Sequence, residues 1–206
     1  MSAARATGWS VMPASALTEL DSAQRLHLLR QARASIAHGC ANDQPLAPEI
    51  DTAPWLMKPA ATFVTLTIAT DLRGCIGSLQ SRRSLLADVT ANAFAAAFRD
   101  PRFAPVRADE LLQLCIEIAV LSAPTPLPNF ADDRALQSAL RPGIDGVVIE
   151  QQGRRATFLP KVWVHAGDGT EFLFALRQKA GLPTRFDPAA CYSTYQVLAF
   201  SERDGS

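Results

Sequence analysis

TFVTLTIATDLRGCIGSL, residues 62–79, begins as a strand and ends on a cysteine framed by two glycines. Val64, Leu66 and Ile68 alternate with threonines over 62–70, the period of a strand with one buried face. In an extended backbone residues two apart share a face, so Arg73 and Cys75 are expected to point the same way. A cation beside a thiol favours the thiolate, which is the reactive form. Gly74 and Gly77 are expected to supply backbone angles closed to other residues and to let a ligand approach the main chain. Free cysteine is also among the most buried residue types, and glycine in a strand often marks a close approach by another backbone. The residues leave both readings of Cys75 open: a catalytic or ligand-contacting thiol, and a small buried side chain.

Upstream, Asp21 and Gln24 have the spacing of a capping box. Leu26, Leu29, Ala32 and Ile36 then predict a helix over 22–38 that stops at Gly39. Residues 41–60 read as a long loop. Downstream, Ser84 opens a helix with Leu85, Val89, Ala93 and Ala97 on one face, and Asp100-Pro101 ends it. CIEIAVLS (115–122) alternates again, with Ile116, Ile118 and Val120 opposite Cys115, Glu117 and Ala119. Three prolines in PTPLPN (124–129) mark the best internal boundary. Beyond it the pattern predicts a helix near 132–140 and two strands flanking Gly153. An Asp168–Glu171 capping box opens a further helix that Gly181 and Pro183 close, and TYQVLAF (194–200) reads as a last strand. Strands and helices mix without strict alternation, so the fold class is α+β with a mostly antiparallel or mixed sheet. One domain is expected over 15–206, after a first fourteen residues that have no period and are expected to dangle.

Twenty basic residues balance twenty acidic ones. That neutrality removes the whole-chain electrostatic argument for nucleic-acid binding. No apolar run reaches the roughly 18 residues that a membrane span needs, and the N-terminus lacks the apolar core of a secretory signal. The four cysteines lie far apart without a CxxC pair, as in a reduced, cytoplasmic protein. No cofactor is expected: His38-x-Cys40 lacks a second ligand pair, the cysteine spacing of an iron–sulfur cluster is missing, and GCIG matches neither phosphate-cradling loop.

Two further places suggest binding. In DPRF (100–103), Asp100 and Arg102 bracket a proline that stiffens the chain. A rigid acid–arginine corner suits recognition of a small polar molecule, and equally an internal salt bridge that staples the helix end. His165 follows VWV and is expected at the end of an extended segment, as a candidate ligand contact or an exposed turn residue.

LRGCIGSL (72–79) resembles the signature of the AMME-chromosome-region candidate family, known in bacteria as system protein A of the AmmeMemoRadiSam group. FVTL (63–66), NAFAAAFRDPRFAPV (92–106), IEIAVLS (116–122), GIDGVVI (143–149), TFLPKVW (157–163) and FLFALRQKAGL (172–182) are similar to further family blocks, in the family's order. Lys161 stands where glutamine is commoner in the family. The resemblance implies a two-subdomain α+β fold with a cleft that the signature faces. It also implies a pathway shared with a Memo-type protein and a radical S-adenosylmethionine enzyme. The expectation is a protein binding a small polar or anionic ligand at Arg73, Gly74, Cys75, Gly77, Asp100, Arg102 and His165. Cys75 is the candidate catalytic residue should the protein be an enzyme. The alternative is a non-catalytic adaptor docking a partner protein or peptide in the same cleft.

Overall fold

The computed structural model describes residues 20–47 and 53–204, so the expectation for the first fourteen residues lies outside the described residues. The chain forms an α+β fold of two units, one comprising residues up to Ser122 and from Leu198 onward, the other Ala123–Val197.

In the first unit the order is α1 (Ser22–Asn42), α2 (Pro54–Met57), β1 (Pro59–Ile68), β2 (Asp71–Gly77), β3 (Arg83–Ser84), α3 (Leu85–Phe98) and β4 (Leu114–Leu121). The chain returns to this unit in a final strand, Val197–Ser201. The sheet order is β2, β1, β4, final strand, with β3 pairing the start of β1. β1 runs antiparallel to β2, β3 and β4. Apolar alternation explains the layering: Val64, Leu66, Ile116, Ile118 and Val120 face α1 and α3 and share one core with Leu28, Leu29, Ala32, Ile36, Val89 and Ala93.

Asp21 and Gln24 form the expected capping box. The helix does not stop at Gly39, however, but runs on to Asn42, with Asp43 at a positive φ of 52° closing it. A Cβ at position 39 would lie 2.3 Å from the Phe98 ring, so this glycine marks the α1–α3 crossing. Leu26 is exposed, and Leu28 takes its expected place in the core. The expected loop over 41–60 contains α2 and the first residues of β1.

The second unit holds β5 (Thr125–Pro126), α4 (Asp133–Ser138), β6 (Gly146–Gln151), β7 (Arg154–Phe158), α5 (Gly169–Lys179) and β8 (Cys191–Tyr195). Its sheet runs β5, β8, β6, β7, with every one of these pairings antiparallel. The expected single strand over 194–200 is two. The chain leaves β8 at Tyr195 and after Gln196 enters the final strand, β9, of the first unit's sheet. The segment expected to be extended before His165 is a 3-10 helix, Pro160–His165. Asp168 caps α5 by accepting from the Thr170 and Glu171 amides, while the Glu171 carboxylate folds against Gly167. Among the described residues no helix is long and apolar enough to cross a membrane.

Gly74 sits where β2 meets α3. A Cβ there would lie 2.1 Å from the Ala96 carbonyl oxygen, a backbone atom that no side-chain rotation can move aside. Gly74→Ala should therefore cost about 3 kcal/mol of stability, read from the urea midpoint. A change within about 0.5 kcal/mol of zero would show that the strand and helix are not in close contact.

Candidate functional site

Among the described residues β2 is the outer strand of its sheet, so its outward-facing backbone groups have no ladder partner there. At Cys75 the DPRF corner supplies both missing partners. The Cys75 amide donates to Asp100 Oδ2 at 2.8 Å, and Arg102 Nη2 donates to the Cys75 carbonyl at 3.4 Å. Asp100 is buried and accepts in addition from the Arg102 amide at 3.1 Å, from Arg102 Nε at 3.0 Å and from Arg102 Nη2 at 2.7 Å. The Arg102 guanidinium holds the Asp100 carboxyl far below the usual carboxylate range; burial opposes this, and the Cys75 amide adds to it. The internal salt bridge is thus formed, and Asp100 acts on the protein's own backbone.

Arg73 does not follow simple alternation. The β1–β2 register shifts between Leu66 and Thr67, which pair with Gly74 and Leu72, leaving Arg73 as the extra residue of a bulge. Its Nε and Nη2 grip the Glu110 carboxylate at 2.7 and 3.0 Å, and its Nη1 and Nη2 donate to the Ala104 and Pro105 carbonyls. The Glu110 hydrogen bond raises the Arg73 pKa, and the Arg73 hydrogen bond lowers that of Glu110. The cation in contact with Cys75 is instead Arg102, through the Cys75 carbonyl, and its pKa is raised first by the hydrogen bond to Asp100.

The Cys75 side chain lies on the sheet face opposite α1 and α3, half-buried and not disulfide-bonded. Thr65 is its cross-strand partner, and the thiol lies 3.4 Å from the Thr65 hydroxyl. Because the Cys75 amide points outward to Asp100, this is a pair without mutual backbone bonds, the kind that brings side chains closest. Thr65 pairs on its other side with Glu117 of β4. Cys75, Thr65 and Glu117 therefore form a polar row across three strands, with about 10 Å between its ends. Sequence alternation put Glu117 and Cys115 on one face; only the register puts Thr65 between Glu117 and Cys75.

Neither signature glycine has a positive φ, contrary to the expectation of special backbone angles. Gly74 makes room for the α3 backbone, and Gly77 lies under the Phe63 ring of its cross-strand partner, 2.3 Å from where a Cβ would sit. A second buried carboxylate, missed in the sequence, holds the other end of the signature. Asp88 accepts from the Thr62 amide and hydroxyl, from the Ser78 hydroxyl, from Arg83 Nε and from the Asn92 amide group. An acid in the first turn of a helix is common, and only the fold brings Thr62 and Ser78 to this one.

The structure thus joins Cys75, Asp100 and Arg102, links Arg73 to the neighbouring 104–110 segment, and places His165 in the second unit. There His165 lines a pocket with Phe158, Val162, Ala166, Thr170, Glu171, Phe174 and Ala175. Among the described residues no group of three or more His, Cys, Asp or Glu side chains could hold a metal ion.

The AMMECR1 family model matches residues 29–201. A protein of Methanothermobacter thermautotrophicus is 33% identical over 178 residues, covering 85% of this chain and 92% of its own. One from Thermococcus gammatolerans is 36% identical over 162 residues, covering 76% and 78%. The crystal structure of an uncharacterised protein from Pyrococcus horikoshii superposes with a TM-score of 0.75 at 30% identity, covering 85% of this chain and 90% of that one.

Asp100→Asn should lower stability by about 2 kcal/mol near neutral pH, because it weakens charge-assisted bonds to Arg102 and the Cys75 amide. The folded-state pKa of Asp100 is depressed, so its contribution is present above the unfolded value and is lost as pH falls towards the folded one. Denaturant titrations should therefore show the gap between wild type and variant narrowing below about pH 4. A gap that stays constant into acid would contradict this.

Proposed function

The chain belongs to the AMMECR1 family, and on that premise we propose that its signature strand forms a binding site for a small polar or anionic molecule, contacted by the Cys75 thiol and the Arg102 guanidinium. The observation that carries this reading is the free edge of Arg102. Its Nε and Nη2 are held by Asp100 and the Cys75 carbonyl, whereas Nη1 has no hydrogen bond among the described residues. The side chain is 54% exposed. A guanidinium fixed on one side and open on the other is pre-organised to donate to a carboxylate or phosphate.

Thr65 and Glu117 extend the site along the sheet face. The hydroxyl beside the sulfur suits hydrogen bonding to a polar ligand, and the carboxylate at the far end of the row sets a second, acceptor-only position. In this reading Asp100 is a positioning residue, Arg73 fixes the 104–110 segment, and the thiol is a contact group. A hydroxyl is no general base, so the Thr65 hydroxyl beside the sulfur supports contact over covalent catalysis. By family resemblance the protein would work beside a Memo-type protein and a radical S-adenosylmethionine enzyme, with the ligand drawn from that shared pathway.

Alkylation of the native protein tests the site. Iodoacetate carries a carboxylate and iodoacetamide does not, so their rate ratio at Cys75, divided by the ratio at exposed Cys191, reads local anion preference. The quotient should exceed one by about threefold and fall to one in Arg102→Gln. A wild-type quotient of one, measured by peptide mass spectrometry, would overturn the anion site.

A further inference from the structure

The second unit has a pocket of about 490 Å³ between its 3-10 turn and α5, within the size range of small-ligand sites. Its wall is mostly apolar: Phe158 ends β7, Val162 and Ala166 come from the turn, and Phe174 and Ala175 from α5. Beneath the wall the turn is anchored firmly. Trp163 stacks on buried Phe172 with ring centroids 3.7 Å apart and donates from its indole nitrogen to the Asp145 carbonyl at 2.8 Å. Phe174 is nevertheless 48% exposed, so apolar surface is left open in a pocket whose walls are well supported.

Three polar side chains rim it: His165, Thr170 and Glu171. Asp168 satisfies the amides of Thr170 and Glu171, which closes the helix start to an anion. Glu171 is exposed, its carboxylate lies against Gly167, and it accepts no hydrogen bond from another side chain among the described residues. Lys179, whose Nζ sits 4.9 Å from the Phe158 ring centroid, is engaged by donating to the Thr157 carbonyl.

From this pairing of an apolar wall with the acceptor-only carboxylate of Glu171 at its rim we infer that the pocket binds a small amine, a molecule joining an aromatic or branched apolar body to an ammonium group that meets Glu171. The body fills the space between Phe158 and Phe174, and the ammonium donates at the mouth. This site lies wholly in the second unit and does not depend on the reading of Cys75 and Arg102.

Phenethylamine and phenylacetate, alike in body and opposite in charge, are suitable probes. In methyl-labelled full-length protein, phenethylamine should cause saturable shifts of the Val162, Ala166 and Ala175 methyl signals, with phenylacetate about threefold weaker. Glu171→Gln should bring the two within about twofold of each other, while Ala175→Trp should fill the pocket and abolish both responses. Equal binding of the two probes to wild type overturns the charge assignment. An amine that leaves these methyls unmoved, or shifts that survive Ala175→Trp, overturns the site.

Discussion

An outer strand leaves alternate backbone groups without partners, and β2 meets this constraint at Cys75 by borrowing partners from a loop. Asp100 takes the Cys75 amide and Arg102 reaches its carbonyl, so two side chains two residues apart do the work of an adjacent strand. The loop's own geometry makes this feasible. Pro101 restricts the backbone between them, the Phe103 amide donates back to the Asp100 carbonyl, and the Val106 amide donates to Ala97, returning the chain to α3. Arg73 adds a grip from the strand side by binding the carbonyls at 104 and 105 and the Glu110 carboxylate. At Cys75 the backbone groups of the edge are thereby occupied and not offered to another strand.

α3 ties the whole signature together. Asp88, in its first turn, receives the Ser78 hydroxyl just past the end of β2, and Asp100, just past its last turn, receives the Cys75 amide. Between them Gly74 lets the α3 backbone lie against the strand. With one face of β2 fixed in this way, the opposite face is held in register, and Cys75, Thr65 and Glu117 line up across three strands. Packing thus draws on the backbone and glycines of these six residues, while the Cys75 thiol lies on the sheet face opposite α3.

Local patterns in the sequence were enough for much of the fold. Alternation in β1 and β4, the Asp21–Gln24 box and the Ser84 cap each depend on neighbours within a few residues, and each appears in the structure. What depended on distant partners was not legible. Gly39 reads as a helix stop until Phe98 is seen across the α1–α3 crossing. Arg73 and Cys75 read as sharing a face until the bulge appears, which requires the β1 register. Residues 194–200 read as one strand because nothing in their composition announces that Gln196 separates two sheets. At the site, the Asp100–Arg102 pair was visible as a rigid corner, but its target, the peptide group of Cys75, was not.

The central claim is that the Cys75 amide, although on an outer strand and directed away from β1, is held by a buried carboxylate. Residue-resolved amide hydrogen exchange on the folded protein tests this most directly. The account predicts that the Cys75 amide exchanges as slowly as amides of central β1, and that Asp100→Ala accelerates it selectively while β1 stays protected. Fast exchange at Cys75 in the wild type, at the rate of an exposed loop, would contradict it.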